Sequence, residues 1–317
     1  MDPAGRPPLL VVAAMLSLYL VWGSTYLAIR VAIDTLPPYL MSGLRFLVAG
    51  AALYAVLRAR GAPRPSRRQW GIATVIGAAL LLMGNGNVVL AERTVPSGLA
   101  ALIVGIVPVW VALLQWRGRR HARPSRTLAA GLVLGLGGLA LLVGPSDLVG
   151  GAPVDLVGAA LLVVATFCWA GGSLFARAKP LALPPLQAVA MEMLAGGALL
   201  TLAGTAAGEW ASFDPAGVTF ASLAAWAWLV VLGSLVGFSA YVWLLTHTTP
   251  ARATSYAFVN PVVAVALGWW LLGEPVTWVT IAGAAAIVGA AALLTLAPAQ
   301  ERAAPPRADP AAATEPA

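Results

Sequence analysis

The sequence predicts an all-α membrane protein whose ten transmembrane helices form two inverted five-helix repeats. Three observations carry that prediction. The 317-residue chain is 60% apolar and only 10% charged, whereas roughly a quarter of the residues in a soluble domain are charged, so the bilayer is its solvent. The chain also repeats itself 147 positions apart without a gap: WGSTYLAIRVAIDTLPPYLMSGLRFLVAG at 22 to 50 answers WAGGSLFARAKPLALPPLQAVAMEMLAGG at 169 to 197. The copies share Trp22/Trp169, Arg30/Arg177, Pro37-Pro38/Pro184-Pro185 and Gly50/Gly197. Finally, apolar runs of about 20 residues, the length that crosses a hydrocarbon core, alternate with turns in which the basic residues are concentrated.

The runs follow in order. Residues 1–8 form a cytoplasmic N-terminus with one Arg, as in a signal peptide. The apolar stretch then continues to Trp22 and Tyr26 with no A-x-A site leading into a polar mature chain, so 9–29 is an uncleaved first span. The second, 39–57, opens behind Pro37-Pro38 and closes at Arg58 and Arg60; the third, 70–90, lies between Arg68 and Glu92. The fourth, 97–116, follows Pro96, and the fifth, 127–144, follows an arginine cluster and is almost wholly Ala, Gly, Leu and Val. A connecting loop, 145–155, separates repeat one (9–144) from repeat two (156–297). Repeat two runs through spans at 156–176, 186–206, 221–245, 253–272 and 278–297. The Pro/Ala-rich segment 298–317, with alternating charges, reads as a disordered cytoplasmic tail. Strands of a membrane barrel would be half as long and would alternate apolar with polar.

Orientation follows from the arginines. With the N-terminus inside, the inner loops and termini hold Arg6, Arg58, Arg60, Arg64, Arg67, Arg68, Arg117, Arg119, Arg120, Arg123, Arg126, Arg177, Lys179, Arg252, Arg302 and Arg307, and the outer loops hold only Arg30 and Arg93. That asymmetry puts both termini of the multi-pass chain in the cytoplasm. Five spans per copy is odd, so the second copy enters from the opposite face and the repeat is inverted; Arg30 lies outside and its mate Arg177 inside. Duplication within an apolar chain marks transporters that bind solute between related halves and expose it to either side in turn.

Several function classes fall away. The net charge of +7 resides in loops beside spans, where topology alone requires it, so no nucleic-acid partner is expected. Cys168 is the single cysteine and lies in an apolar run, which excludes an intrachain disulfide and a zinc cluster. His121 and His247 read as solvated loop histidines, and no HExxH, GxSxG, Walker A or GxGxxG pattern occurs. No catalytic residue, metal or cofactor is expected.

The motifs resemble the ten-span EamA transporters of the drug/metabolite transporter superfamily. They are Trp22-Gly23-Ser24-Thr25-Tyr26, Pro37-Pro38 followed by Arg45-Phe46, GNGNVVLAERTVPSGLAALIVGIVPVW from Gly84, and ATSYAFVNPVVAVALGWWLLGEPVT from Ala253. The last two look most like the YedA-type branch, whose members are regarded as inner-membrane metabolite exporters. The resemblance covers both halves, from about Leu9 to Ala297. It implies a cavity formed chiefly by spans one, three, four, six, eight and nine. The halves depart from one another where Glu192 stands for Arg45 and Ala170-Gly171-Gly172 for Gly23-Ser24-Thr25, so they need not work equally at the site.

Candidate site residues are those that are expensive or specific at membrane depth. Arg45 and Glu192 occupy equivalent places with opposite charge, and a charge at the bilayer centre costs about 2.5 kcal/mol or more unless paired or wet. Three readings stand side by side: bonding to backbone or headgroups that locks a helix end, a place at the cavity with Glu192 as a proton carrier, and a direct ion pair. Asn85 and Asn87, bracketing Gly86, either join helices or line the cavity, and Asn260 before Pro261 has the same choice. Trp22, Tyr26, Trp169, Tyr241 and Tyr256 can stack on an apolar solute while their N–H and O–H groups orient it. Pro108 and Pro261, at matched places in spans four and nine, are expected gating points. Trp70, Trp116, Trp210 and Trp278 lie near span ends as interface anchors. Gly131/Gly135 and Gly233/Gly237 are GxxxG pairs that permit close packing inside the bundle, with a homodimer seam as the lesser reading. The expected partners are a small-molecule solute, the lipid bilayer and, through Glu192, protons. The sequence therefore reads as an exporter of a small metabolite, amino acid or drug-like solute, with an importer of the same architecture, a non-transporting sensor and a membrane-embedded enzyme as rivals.

Overall fold

In the computed structural model, residues 9–117, 126–143, 155–247 and 256–296 are described. The expected termini (1–8 and 298–317), nearly all of the connecting loop, His121 and the arginines at 119, 120, 123 and 252 lie outside these residues. The described residues are helical, with no strand among them. Seven helices are long and apolar enough to cross a membrane, and three shorter apolar helices accompany them.

Helix α1, Leu9–Ala32, turns tightly at Ser24. The hydroxyls of Ser24 and Thr25 donate back to the carbonyls of Val21 and Trp22 at 2.9 and 2.6 Å, the local competition with the helix ladder that bends helices. Pro38 at the first turn starts α2, Pro38–Ala59, because its fixed φ and missing N–H suit a helix start. Ser66 and Gln69 form a reciprocal capping box at the head of α3, Arg67–Ala91. The middle of α3, Ala78–Asn85, is wound as a π-helix. α4, Ser97–Arg117, loosens at Gly105 and Ile106, whose N–H groups reach back only three or four residues to Leu102, Ala101 and Ile103. Pro108 is the cause: it has no N–H to carry the ladder through that turn.

α5 is Arg126–Val143 and α6 Leu156–Ala178, the latter capped by Asp155. α7, Pro185–Ala206, again starts on a proline. α8 joins Phe220–Trp228, a second π-helical stretch, Leu229–Val236, and Gly237–His247. α9 is Tyr256–Leu272 and α10 Trp278–Leu296. Pro261 lies inside α9 without ending it, so the matched prolines act differently: α4 is interrupted before its proline, and α9 runs on with one ladder bond fewer.

Helices pair across the halves. α2 packs along α7, α4 on α9, α5 on α10, α3 on α6, and α1 on α8 and α9. Glycine permits the closest crossing: a Cβ on Gly197 would stand 2.9 Å from the Gly43 carbonyl oxygen and from the Leu47 nitrogen. Gly131 and Gly135 receive Leu294, Val109 and Ala290, so that GxxxG pair is filled within the bundle. Gly233 and Gly237 have another use, described below.

Candidate functional site

The central feature is a cavity of about 170 Å³ among α1, α2, α3, α4, α6, α8 and α9. Trp22 and Tyr26 of α1, Trp169 of α6 and Tyr256 of α9 form much of its aromatic wall, joined by Phe46 and Phe238. Trp22 is fixed from several sides. Its indole N–H donates to the Gly233 carbonyl at 3.0 Å, and its ring meets Phe238 and Tyr256 edge-on at centroid distances of 5.2 and 4.8 Å. A side chain at Gly237 would run into that indole, and one at Gly233 would press on the Arg45 guanidinium at 3.1 Å. These glycines therefore make room for site side chains instead of for a helix backbone.

Arg45 lines the cavity and is only 4% exposed. Its Nε donates to Ser234 Oγ at 2.9 Å, its guanidinium lies 4.7 Å from the Phe46 ring centroid, and its Nη1 has no hydrogen-bond partner. Asn85 and Asn260 line the same cavity, and the amide oxygen of each also has no partner. A charged donor and two amide acceptors, each without a partner, thus belong to residues that line one aromatic chamber. Buried polar atoms left unmatched are costly and rare, so the three residues that carry them mark this cavity as the candidate site.

Seven of the ten residues expected to bind solute line this cavity: Trp22, Tyr26, Arg45, Asn85, Trp169, Tyr256 and Asn260; so do Pro108 and Pro261. Asn87, Tyr241 and Glu192 are not part of the lining. Asn87 is two residues from Asn85, and residues two apart on a helix face nearly opposite ways; it is buried in the helix contacts of α3. Tyr241 stands behind the wall, its ring 5.5 Å from those of both Trp22 and Tyr256. Glu192 is half-buried on α7, a helix absent from the lining, and its carbonyl faces Gly77 of α3. Arg45 turns to Ser234, so the expected alternative of an Arg45/Glu192 pair is not what the structure shows. His247, at the exposed end of α8, stacks on Trp243 at 4.1 Å and stands apart from the cavity. Sequence reading missed Thr25, Ser234 and Gly233 as site residues; only Thr25 carried a signal, its place three residues after Trp22 on α1.

A second opening lies beyond the cavity, at the ends of α1, α3 and α9 and the start of α8: a crevice of about 450 Å³ lined by Arg30, Asp34, Thr94, Ser222 and Glu274, among others. Glu274 ties α9 to α4 there, its carboxylate accepting from Ser97 N and Oγ at 2.7 Å each and from Gly98 N at 2.9 Å. Glu209 joins α7 to α2 in the same manner, accepting from the backbone of Tyr39 and Leu40 at 3.1 and 2.9 Å. Both carboxylates sit at helix N-termini, where the unpaired N–H groups favour negative charge.

Comparison with known proteins agrees with this architecture. The model of the EamA-like transporter family matches residues 9–144 and again 156–296. The "Uncharacterized inner membrane transporter YedA" of Escherichia coli strain K12 is 38% identical over 285 residues, 89% of this chain and 90% of its own. A "Probable amino-acid metabolite efflux pump" of Salmonella typhimurium strain LT2 is 26% identical over 276 residues, 84% of this chain and 89% of its own. A crystal structure 23% identical in sequence superposes with a TM-score of 0.58, covering 90% of this chain and 96% of that one, a likeness of fold alone. The protein is a multi-pass membrane transporter and not an enzyme: the chain belongs to the EamA-like transporter family.

Proposed function

We propose that this protein exports a small amphiphilic metabolite or amino acid bearing a carboxylate, by alternating access, across a bacterial inner membrane. The observation that carries the reading is the set of unmatched polar atoms in the aromatic cavity, Arg45 Nη1, Asn85 Oδ1 and Asn260 Oδ1. A carboxylate satisfies the guanidinium; an ammonium or hydroxyl donates to the amide oxygens; an apolar body stacks among Trp22, Trp169, Phe238 and Tyr256.

The ten apolar helices act as two inverted halves, with repeat boundaries at 9–144 and 156–297 and both termini cytoplasmic. The pairing of helices supports this. Exchanging the halves maps the α2–α7, α4–α9 and α5–α10 contacts onto themselves and the α3–α6 contact onto α8–α1. The third helix of each half carries an eight-residue π-helical stretch, a feature common at functional sites. The arginine asymmetry supports the orientation. Export is favoured by the name of one relative, a probable amino-acid metabolite efflux pump. The two prolines of the cavity, with the loosened turn before Pro108, give α4 and α9 their freedom to move.

The test is counterflow in proteoliposomes with a panel of amino acids, their amides and their amines, in both directions. Exchange of acids with large apolar side chains, at lower half-saturating concentrations than their amides, is expected. Exchange of amines in preference to acids would overturn the reading of Arg45.

A further inference from the structure

Glu92 is a carboxylate that the transport cycle above leaves unused. It directly follows the last residue of α3, is wholly buried, and neither of its carboxylate oxygens has a hydrogen-bond partner. Its neighbours Ala91 and Val95 are packed with Leu162 and Ala165 of α6 in an apolar cluster that includes Tyr26. The surrounding ionisable groups are few. From α1 come Tyr26 and Arg30; from the segment after α9 comes Glu274; at the head of α6, Asp155 is held to Thr94 at 2.6 Å. Arg30 does not neutralise the carboxylate by hydrogen bonding: its Nη1 donates to the main-chain oxygens of Glu92 and Arg93 at 2.6 and 3.2 Å, where it caps the negative end of α3.

The position of Glu92 gives this burial a meaning. Ile29 and Val88, on the cavity side, line the solute chamber, whereas Val31, Thr94 and Val95 line the outer crevice. Along α1 the chain passes from chamber to crevice in one residue, and from α3 onward in six, and Glu92 lies in the layer between them. That layer is closed beside it by the Glu274 clasp on Ser97 and Gly98.

We propose that Glu92 is a proton-binding site that latches the outer mouth of the transporter, its protonated form belonging to the closed mouth and its ionised form to the open one. The proposal rests on the transport reading above and adds its regulation. In the closed state burial holds the Glu92 carboxyl well above the usual carboxylate range, the nearby Glu274 charge acts in the same direction, and Arg30 opposes them. Opening the mouth admits water, restores an ordinary carboxylic acid, and lets the proton leave. An ionised Glu92 beside the Glu274 carboxylate then resists closure. The state that binds more protons gains as pH falls, so the closed mouth is favoured in acid and loses that advantage as pH rises through the closed-state value.

The experiment is a distance measurement. Spin labels at Ala221→Cys and Leu272→Cys, exposed positions lining the crevice on α8 and α9, are read in lipid nanodiscs from acid to alkaline pH in a Cys168→Ser background. A longer population should grow with rising pH, displaced by about 5 Å, of the order of one helical turn. Glu92→Gln, which keeps the volume and cannot ionise, should hold the short distance at every pH. Infrared titration of the carboxylic acid C=O band in the otherwise unchanged chain serves as a second readout should that variant not fold: the band should vanish over the same pH interval as the short distance. A distance that ignores pH, or that responds equally in Glu92→Gln, overturns the latch; so does a band that titrates elsewhere. None of these readouts uses solute, so a failed latch with intact counterflow leaves the transport reading standing, and absent counterflow strikes the transport reading alone.

Discussion

Replacing Arg45 by Met separates the solute-binding role of the guanidinium from a structural one. The side chain is 4% exposed, and its polar partner in the protein is Ser234 Oγ at 2.9 Å. A hydrogen bond to a charged group is worth about 1.5–3 kcal/mol, and each 1.4 kcal/mol is tenfold in affinity. A solute carboxylate seated on Nη1 should therefore bind roughly ten- to a hundredfold more weakly to Arg45→Met, whereas the corresponding neutral amide should be nearly unaffected. Stability should move little or rise, because removal of a buried charge along with its desolvation cost offsets one lost hydrogen bond. Half-saturating concentrations in counterflow, for acid and amide side by side, together with the melting temperature, make the assay. Equal losses for acid and amide would refute the reasoning, and so would a melting temperature that falls steeply with both.

Other perturbations follow from the same geometry. Gly237→Val drives a side chain into the Trp22 indole; overpacking of this kind costs about 1–3 kcal/mol, and both the melting temperature and counterflow should drop. Gly197→Val, at the α2–α7 crossing where even a Cβ meets backbone atoms at 2.9 Å, should lower the melting temperature without changing which solutes are carried, measured on whatever protein folds. Glu192→Gln should leave gradient-driven flux intact because Glu192 stands away from the cavity lining; loss of that flux in proteoliposomes with an imposed pH gradient would return the proton role to it. The hydrogen bonds from Thr94, Gly158 and Val157 hold the half-buried Asp155 carboxyl below its usual range. Its contribution to stability is therefore full at pH above the unfolded carboxylate value and is lost as pH falls through the lower folded value. Asp155→Ala should accordingly melt earlier than the parent at neutral pH and together with it in strong acid.

Much of the architecture was legible in the chain because helix length and apolarity are set by the bilayer and because proline marks helix starts. Pro37-Pro38 and Pro184-Pro185 sit where α2 and α7 begin. What the sequence could not tell was azimuth. In a span apolar on every side, no periodicity says which face turns inward; glycine contacts such as Gly43 with Gly197 and Gly77 with Gly196 decide it. Hence Asn85 reaches the cavity and Asn87 does not, and Tyr241 supports the wall from behind. The π-helical stretches were invisible for a related reason: they alter winding without altering composition. Glu92 read only as the acid that ends the third span, because burial of a residue at a helix end depends on what other segments bring to it, here α6, whose Leu162 and Ala165 cluster with the neighbouring Ala91 and Val95.

The central claim is that solute passes through the aromatic chamber, and plugging it is the direct test. Val104 lines the chamber from α4 and is half-buried, so Val104→Trp should fill the space with an indole while leaving the helix contacts behind it in place. In proteoliposomes, Val104→Trp recovered as a monodisperse protein should show no counterflow of any solute that the parent exchanges. Counterflow at the parental rate through the plugged chamber would contradict the account.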